Sequence, residues 1–377
     1  MSNNNDVDFL KVRAEIDRVD NELVELIAER LKLTGEVGRL KAKLDLPLYV
    51  PSREAEIIEN KRKLAESHGI SADLVEDVIR RIMRDSYTSQ SRTRADNKIT
   101  QNKNILVIGG RGQLGQLFVT LFEQAGYQVD ILEKEDWNLS EQVLASASLV
   151  LVAVPIRITT EIISTLTNLN PECVLVDITS LKEKPLKAML DVHSGPVVGL
   201  HPMFGPGITH LAKQTIVVCD GRHKERYQWF IEQLQNWGAK LSFVTAEQHD
   251  HLMSIVQVLR HFSTVAYGYH LKEENIDLNK VLELSSPIYR LELVMVGRLF
   301  AQNSELYSDI IFSDPKNIPM IRRYIQKMQQ LLDLLEQQNN TGFTNLFNEV
   351  SDWFGENAED FLLESNAMLA KANDLRK

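Results

Sequence analysis

Between residues 6 and 44 the chain has no proline and no strand-like run, and its apolar side chains recur at helical spacing. A single helix over this stretch is roughly 60 Å long at about 1.5 Å per residue, more than the width of a small domain. On a helical wheel Val12, Ile16, Val19, Leu23, Leu26 and Val37 occupy one narrow sector. Turn signals follow at 46–51 and 68–71, so the segment up to about residue 91 predicts two further, shorter helices. Those are too short to cover the stripe. A second copy of the long helix can cover it, and an intertwined homodimer is therefore expected.

Arg30 and Lys41 fall inside the same apolar sector. Their stems could lie along the core with the charges reaching water. Two cations eleven residues apart in the middle of one stripe cannot both do so easily, and a buried unpaired charge costs several kcal/mol. Arg53 and Glu54 lie on the stretch that faces them, and in the third helix Ser86 falls within the sector of Val75, Val78, Ile79 and Ile82, with Gln90 at its edge. Donors outnumber acceptors here, which suits a pocket for a small dicarboxylate.

At 377 residues the chain exceeds a single core, and its formal net charge of −10 disfavours nonspecific nucleic-acid binding. The longest apolar run, 147–156, is about half of the ~20 residues that span a bilayer, so no membrane segment is expected and the run reads as a buried strand. The opening MSNNNDVDF has neither the basic nor the apolar region of a secretory signal. Cys173 and Cys219 stand apart in strand-like surroundings as ordinary buried thiols, and a cytoplasmic location follows as the expectation.

The chain divides into a helical domain at 1–92, a polar linker at 93–103, an α/β dinucleotide-binding domain at 104–247 and a second all-α domain at 248–377. The third begins with NILVIGGRGQLGQLFVTLFEQAGYQVDILEKEDW, a strand, a glycine turn, an amphipathic helix and a second strand. Gly110, Gly112 and Gly115 fit the spacing that lets backbone approach a pyrophosphate at a helix N-terminus. Glu133 stands where a carboxylate meets the adenine ribose and favours NAD, or where a strand end simply meets water. Strand-like runs recur at 149–154, 173–178, 197–200 and 215–218, which predicts a mainly parallel sheet covered on both faces. Pro155 ends one of them beside the expected nicotinamide position, as a plain strand terminator also would. Beyond residue 248 only helical patterns remain.

A dinucleotide carrier needs a proton acceptor, and histidine suits neutral pH. His68, His193, His210, His223 and His270 lie in polar or loop-like sequence and are expected at the surface, leaving His201, His249, His251 and His261. His201, in GLHPMFGPG, follows a strand and precedes Pro202, which stiffens it. Alone it reads equally as a structural histidine. Ser180 and Lys182, in VDITSLK one strand earlier, place polar groups at the same carboxyl edge of the sheet, where such folds bind ligands.

These stretches resemble known families. LKVRAEIDRVDNELVELIAERLKLTGEVGRLKAK, PSREAEII and RDSYTSQ resemble the all-helical chorismate mutases over residues 1–92. DITSLK, GLHPMFGP, EQHDHLM, LRHF and IYRLELVMVGRLF resemble the prephenate dehydrogenases over most of 101–364. Together the chain is similar to the bifunctional chorismate mutase/prephenate dehydrogenases of tyrosine biosynthesis.

The resemblance implies that chorismate is rearranged to prephenate without covalent chemistry by the protein. Arg30, Arg53 and a partner's Arg13 would clamp the carboxylates, Lys41 and Gln90 would donate to the ether oxygen, Glu54 would hold the ring hydroxyl and Ser86 would support a carboxylate. Val50 departs from the aspartate that mutases fused to a dehydratase often carry. It implies next that NAD-dependent oxidative decarboxylation of prephenate has His201 as base, Ser180 orienting it, Lys182 in support, Arg298 on the ring carboxylate and His261 at the side chain. Arg298 repeats the buried-cation pattern, and Arg290 and His249 are expected to be structural. Feedback inhibition by tyrosine is implied, and no metal. A β-hydroxyacid dehydrogenase shares the two-domain plan but lacks a mutase-like segment. An NAD-sensing regulator leaves the cations inside apolar stripes unexplained.

Overall fold

The computed structural model describes residues 3–44, 46–95, 102–205 and 207–374, and forms two compact units, Met1–His249 and Asp250–Lys377. The first opens with three helices, α1 (Asn3–Lys43), α2 (Pro51–Ser67) and α3 (Ala72–Ala95). α3 thus continues past residue 92, and residues 96–101 of the expected linker lie outside the described residues.

α1 packs on α3 with a face different from the predicted stripe. Gly35 and Gly38 are buried there, and a Cβ on Gly38 would sit 2.8 Å from the Gln90 Cα, so the two backbones meet almost directly. Val12, Ile16, Val19, Leu23 and Leu26 remain exposed, Leu26 at 62%. An apolar stripe this long has no cover within one chain.

A seven-stranded sheet follows, with β1 (Asn104–Ile108), β2 (Gln128–Leu132), β3 (Leu149–Val152), β4 (Val174–Asp177), β5 (Val197–Pro202), β6 (Thr215–Arg222) and β7 (Lys240–Phe243) in the order β2-β1-β3-β4-β5-β6-β7. All neighbours run parallel except β5 and β6. Between the strands lie α4 (Gln113–Gln124), α5 (Ser140–Ser146), α6 (Ile156–Ser164), α7 (Glu183–Val192) and α8 (Lys224–Asn236), and α9 (Ala246–Met253) follows the last. β3 stops two residues before its predicted end because Pro155 caps α6. β7 escaped prediction: it is a four-residue edge strand, largely exposed, without the apolar run that marks its neighbours.

Strands buried on both faces feed two cores. Ile105 and Val107 point into one with Phe118 and Phe122 of α4 and Tyr227, Phe230 and Leu234 of α8. Leu106 and Ile108 point into the other with Ile163, Leu166 and Met189. His193, expected at the surface, is buried and bonded to the Cys173 carbonyl at 2.7 Å, because its helix ends under the sheet rather than in solvent. Both cysteines are buried and free.

The helical segment is fastened to the sheet domain. The Leu48 amide donates to the Asn236 carbonyl at the end of α8 (3.0 Å), and Leu48, Tyr49 and Tyr87 pack around Ala212.

The second unit is all helix: α10 (Arg260–Glu273), preceded by a π-helical turn Ser254–Leu259, then α11 (Leu278–Leu284), α12 (Pro287–Phe300), α13 (Ser304–Ile311), α14 (Asn317–Glu336), α15 (Asn340–Phe354) and α16 (Glu356–Asp374). Among the described residues no helix is long and apolar enough to cross a membrane.

Phe122 touches Tyr127, Phe230 and Trp237 ring to ring, at centroid distances of 5.5, 5.8 and 5.1 Å. Phe122→Ala should lower the unfolding free energy by about 3–5 kcal/mol, read from urea denaturation followed by near-ultraviolet circular dichroism.

Candidate active sites

The glycine turn lies between β1 and α4. Gly109 takes a φ of 81°, which glycine adopts without strain, and a Cβ there would stand 2.7 Å from the Ala153 carbonyl oxygen. Gly112 donates to the Gly109 carbonyl at 3.1 Å and opens α4; a Cβ on Gly115 would collide with that same carbonyl. On Gly110 it would meet Ile131 at 2.9 Å. Glu133, directly after β2, accepts the Arg111 N–H at 2.7 Å. Pro155 stands at the end of β3, next to β1 in the sheet. A bare turn at a helix N-terminus, with a carboxylate at the neighbouring strand end, fits a dinucleotide where the strand order reverses. The predicted spacing omitted Gly109, whose signal was the Gly109-Gly110 doublet.

At the end of β5, His201 is 3% exposed, and its Nδ1 lies 2.8 Å from Nε2 of His249 in α9. Burial, then the neighbouring His249 and Lys182, hold its pKa well below 6.5, so the imidazole is neutral at neutral pH. Ser180 stands half-buried in the β4–α7 loop.

Lys182 does not extend into that loop toward a ligand, as the sequence suggested. It is fully buried, and its Nζ donates to Asp177 Oδ2 at 2.5 Å and to the Leu200 carbonyl at 2.6 Å. A lysine this deep needs a carboxylate, and Asp177 supplies it. Thr179 donates to the same carboxylate at 2.8 Å. The group therefore fastens the residue that precedes His201. Asp177 was overlooked; its signal was one acid closing the otherwise apolar strand VLVD.

The second cluster lies among α1, α2 and α3. Arg30 Nη1 donates to Ser86 Oγ at 3.0 Å, and burial lowers its pKa. Lys41 Nζ donates to the Leu48 carbonyl at 2.9 Å. Gln90 is buried with no partner for its Oε1. Glu54 is buried and bonded to Tyr87 (2.7 Å), Arg80 (3.1 Å) and Lys213. Burial would raise its pKa, but the bonds from Lys213 and Tyr87 outweigh this and hold it below the ordinary range. Arg53 is exposed and paired with Glu56 at 2.7 Å, and Arg13 lies exposed over Phe9. One chain thus gathers Arg30, Lys41, Glu54, Ser86 and Gln90, but neither Arg13 nor Arg53. Lys213 was not foreseen, being 159 residues from Glu54.

In the second unit His261 is buried against Tyr307 (ring centroids 4.8 Å), with Nδ1 unpartnered and a pKa lowered by burial to about 4. Arg298 is exposed on α12, contrary to the buried-cation reading, because α12 leaves Val294, Met295 and Phe300 exposed beside it.

Comparison with known proteins places these sites in context. Residues 12–91 match the type II chorismate mutases, 125–242 the nucleotide-binding domain of prephenate dehydrogenase and 245–349 its dimerization domain. The T-protein of Enterobacter agglomerans is 50% identical over 365 residues, covering 97% of this chain and 98% of its own. That of Haemophilus influenzae is 47% identical, covering 97% of each. A crystal structure of prephenate dehydrogenase from Aquifex aeolicus, in complex with hydroxyphenyl propionate and NAD+, shares the fold, with a TM-score of 0.54 at 18% identity over 67% of this chain and 96% of that one.

Lys182→Met leaves Asp177 buried without its cation and should cost about 3–5 kcal/mol of stability in urea denaturation. Adding Asp177→Leu should recover a large part of that loss, since it removes the stranded charge.

Proposed function

The chain belongs to the T-protein family, in which a type II chorismate mutase is joined to a prephenate dehydrogenase, and on that footing we propose how its residues divide the two reactions. The first rearranges chorismate to prephenate; the second is the NAD-dependent oxidative decarboxylation of prephenate to 4-hydroxyphenylpyruvate. NAD, when bound, supplies the hydride acceptor of the second reaction. Gly109, Gly110, Gly112 and Gly115 would hold its pyrophosphate, Glu133 its ribose, and Pro155 would border the nicotinamide.

The observation that carries the dehydrogenase reading is the buried His201–His249 pair. His201 takes the proton of the ring hydroxyl at Nε2, the nitrogen not bound to His249. That requires the tautomer in which Nδ1–H donates to His249 Nε2, and the imidazolium formed keeps this bond. Ser180 orients the hydroxyl, while Lys182 and Asp177 fix the backbone before the base. For the ring carboxylate and the side chain, the family resemblance names Arg298 and His261. Aromatisation of the ring drives the loss of CO₂.

In the mutase site Arg30, supported by Ser86, binds one carboxylate of the compact chair conformer and Arg53 the other once it leaves its exposed pairing with Glu56, while Lys41 and Gln90 stabilise charge growing on the ether oxygen. Glu54 accepts from the ring hydroxyl. Arg13 lies seventeen residues before Arg30 on one helix, roughly 25 Å away at about 1.5 Å per residue, so it cannot serve its own pocket. Arg13 of the partner subunit serves it, and the exposed stripe of α1 supports the homodimer that this requires. A cytoplasmic location and feedback inhibition by tyrosine complete the reading, as the family resemblance implies them.

Three experiments test these assignments. The lowered pKa of His201 keeps it a neutral base down to that value, so kcat/KM for prephenate oxidation should hold at neutral pH and fall on acidification only below pH 6.5. His201→Asn should abolish NADH formation and spare chorismate loss; an acid limb above pH 7 speaks against His201. Arg30→Ala and Arg13→Ala chains should each lose chorismate turnover while oxidising added prephenate. Mixing the two should restore turnover, because one site of each heterodimer then holds both arginines.

A further inference from the structure

We propose that Lys213, a residue of the dinucleotide-binding half, is a positioning residue of the mutase site, acting on Glu54. Glu54 is 6% exposed and accepts from three side chains, Lys213 and Arg80 on Oε1 and Tyr87 on Oε2. Arg80 and Tyr87 belong to α3 of the helical segment; of the three, Lys213 alone comes from outside it.

Lys213 is held for this contact. It lies two residues before β6 with a φ of 66°, a left-handed conformation that a lysine adopts only under constraint, and its amide donates to the Gly238 carbonyl at 3.1 Å. Its ammonium sits 5.5 Å from the Tyr49 ring centroid, and the preceding Ala212 is packed under Leu48 and Tyr87.

A carboxylate offers about four acceptor positions. Three donors fix the plane of this one and leave it one position for a substrate hydroxyl. The charged and titratable groups around it are Lys213, Arg80, Tyr87 and Tyr49, with His210 and Arg30 beside Tyr87. Burial opposes the ionised form of Glu54, and the Lys213 bond is the largest of the contributions that restore it. The dehydrogenase half thereby keeps Glu54 charged and aimed, and the mutase site is complete only in the fused chain.

The proposal rests on assigning Glu54 to the chorismate hydroxyl, so the test separates the two. In the full-length enzyme, chorismate loss is followed across pH 5–9 beside NADH formation from added prephenate. Lys213→Met should lower kcat/KM for chorismate by about tenfold or more and move its acid limb to higher pH, since Glu54 then protonates more readily. Prephenate oxidation should stay within about twofold and Lys213→Arg should restore the limb. A Lys213→Met enzyme with the parent's chorismate kcat/KM and acid limb overturns the proposal. If Glu54→Gln also matches the parent, the assignment of Glu54 fails; if Glu54→Gln is slow, only the role of Lys213 is refuted. Should Lys213→Met melt early, Lys213→Gln keeps a donor without the charge, and its acid limb decides: shifted upward upholds the proposal, unshifted ends it.

Discussion

Four adjacent strands, β1, β3, β4 and β5, are buried on both faces, and this constraint determines where chemistry can reside in the sheet domain. Neither face tolerates an unpaired polar group, so functional side chains collect where the strands end. The carboxyl ends carry the Gly109 turn, Asp177 and His201 in strands that alternate between two cores below. Lys182 is the exception, a cation drawn fully beneath the sheet, and it survives there because Asp177 closes β4 within reach. This fully buried ion pair braces the residue before the base.

The helical segment meets the opposite difficulty. It has too little interior for the apolar surface it carries, and glycines let α1 and α3 approach so closely that polar side chains beside the contact become enclosed. Arg30 donates to the Ser86 hydroxyl, which does not neutralise it, and Lys41 donates to the Leu48 carbonyl. The guanidinium of Arg30 is thus placed where a carboxylate of a substrate can pair with it.

What the sequence made legible follows from the range of each signal. Periodicity is local, so the long helix, the sheet class and the change to an all-helical ending could be read from it. The glycine spacing and His201 were readable because a stiff backbone leaves a compositional mark. Side-chain direction was not: Lys182 lies in a loop-like stretch yet turns inward, and His193 looks polar yet lies under the sheet. Arg298 sits in an apolar helix whose apolarity does not bury it within one chain. Lys213 left no local trace at all, since its partner lies in another domain, and β7 was too short and too polar to register.

The single antiparallel step in the sheet has a further result. β5 and β6 pair antiparallel with no crossover helix between them, so β6 starts at the edge where the parallel strands end. Every other strand connection passes through a helix that packs on a core. This connection lends Leu211 to one core and holds the helical segment through Ala212 and Lys213. The reversed strand thus yields one loop that closes a core with Leu211 and carries a second enzyme on the next two residues.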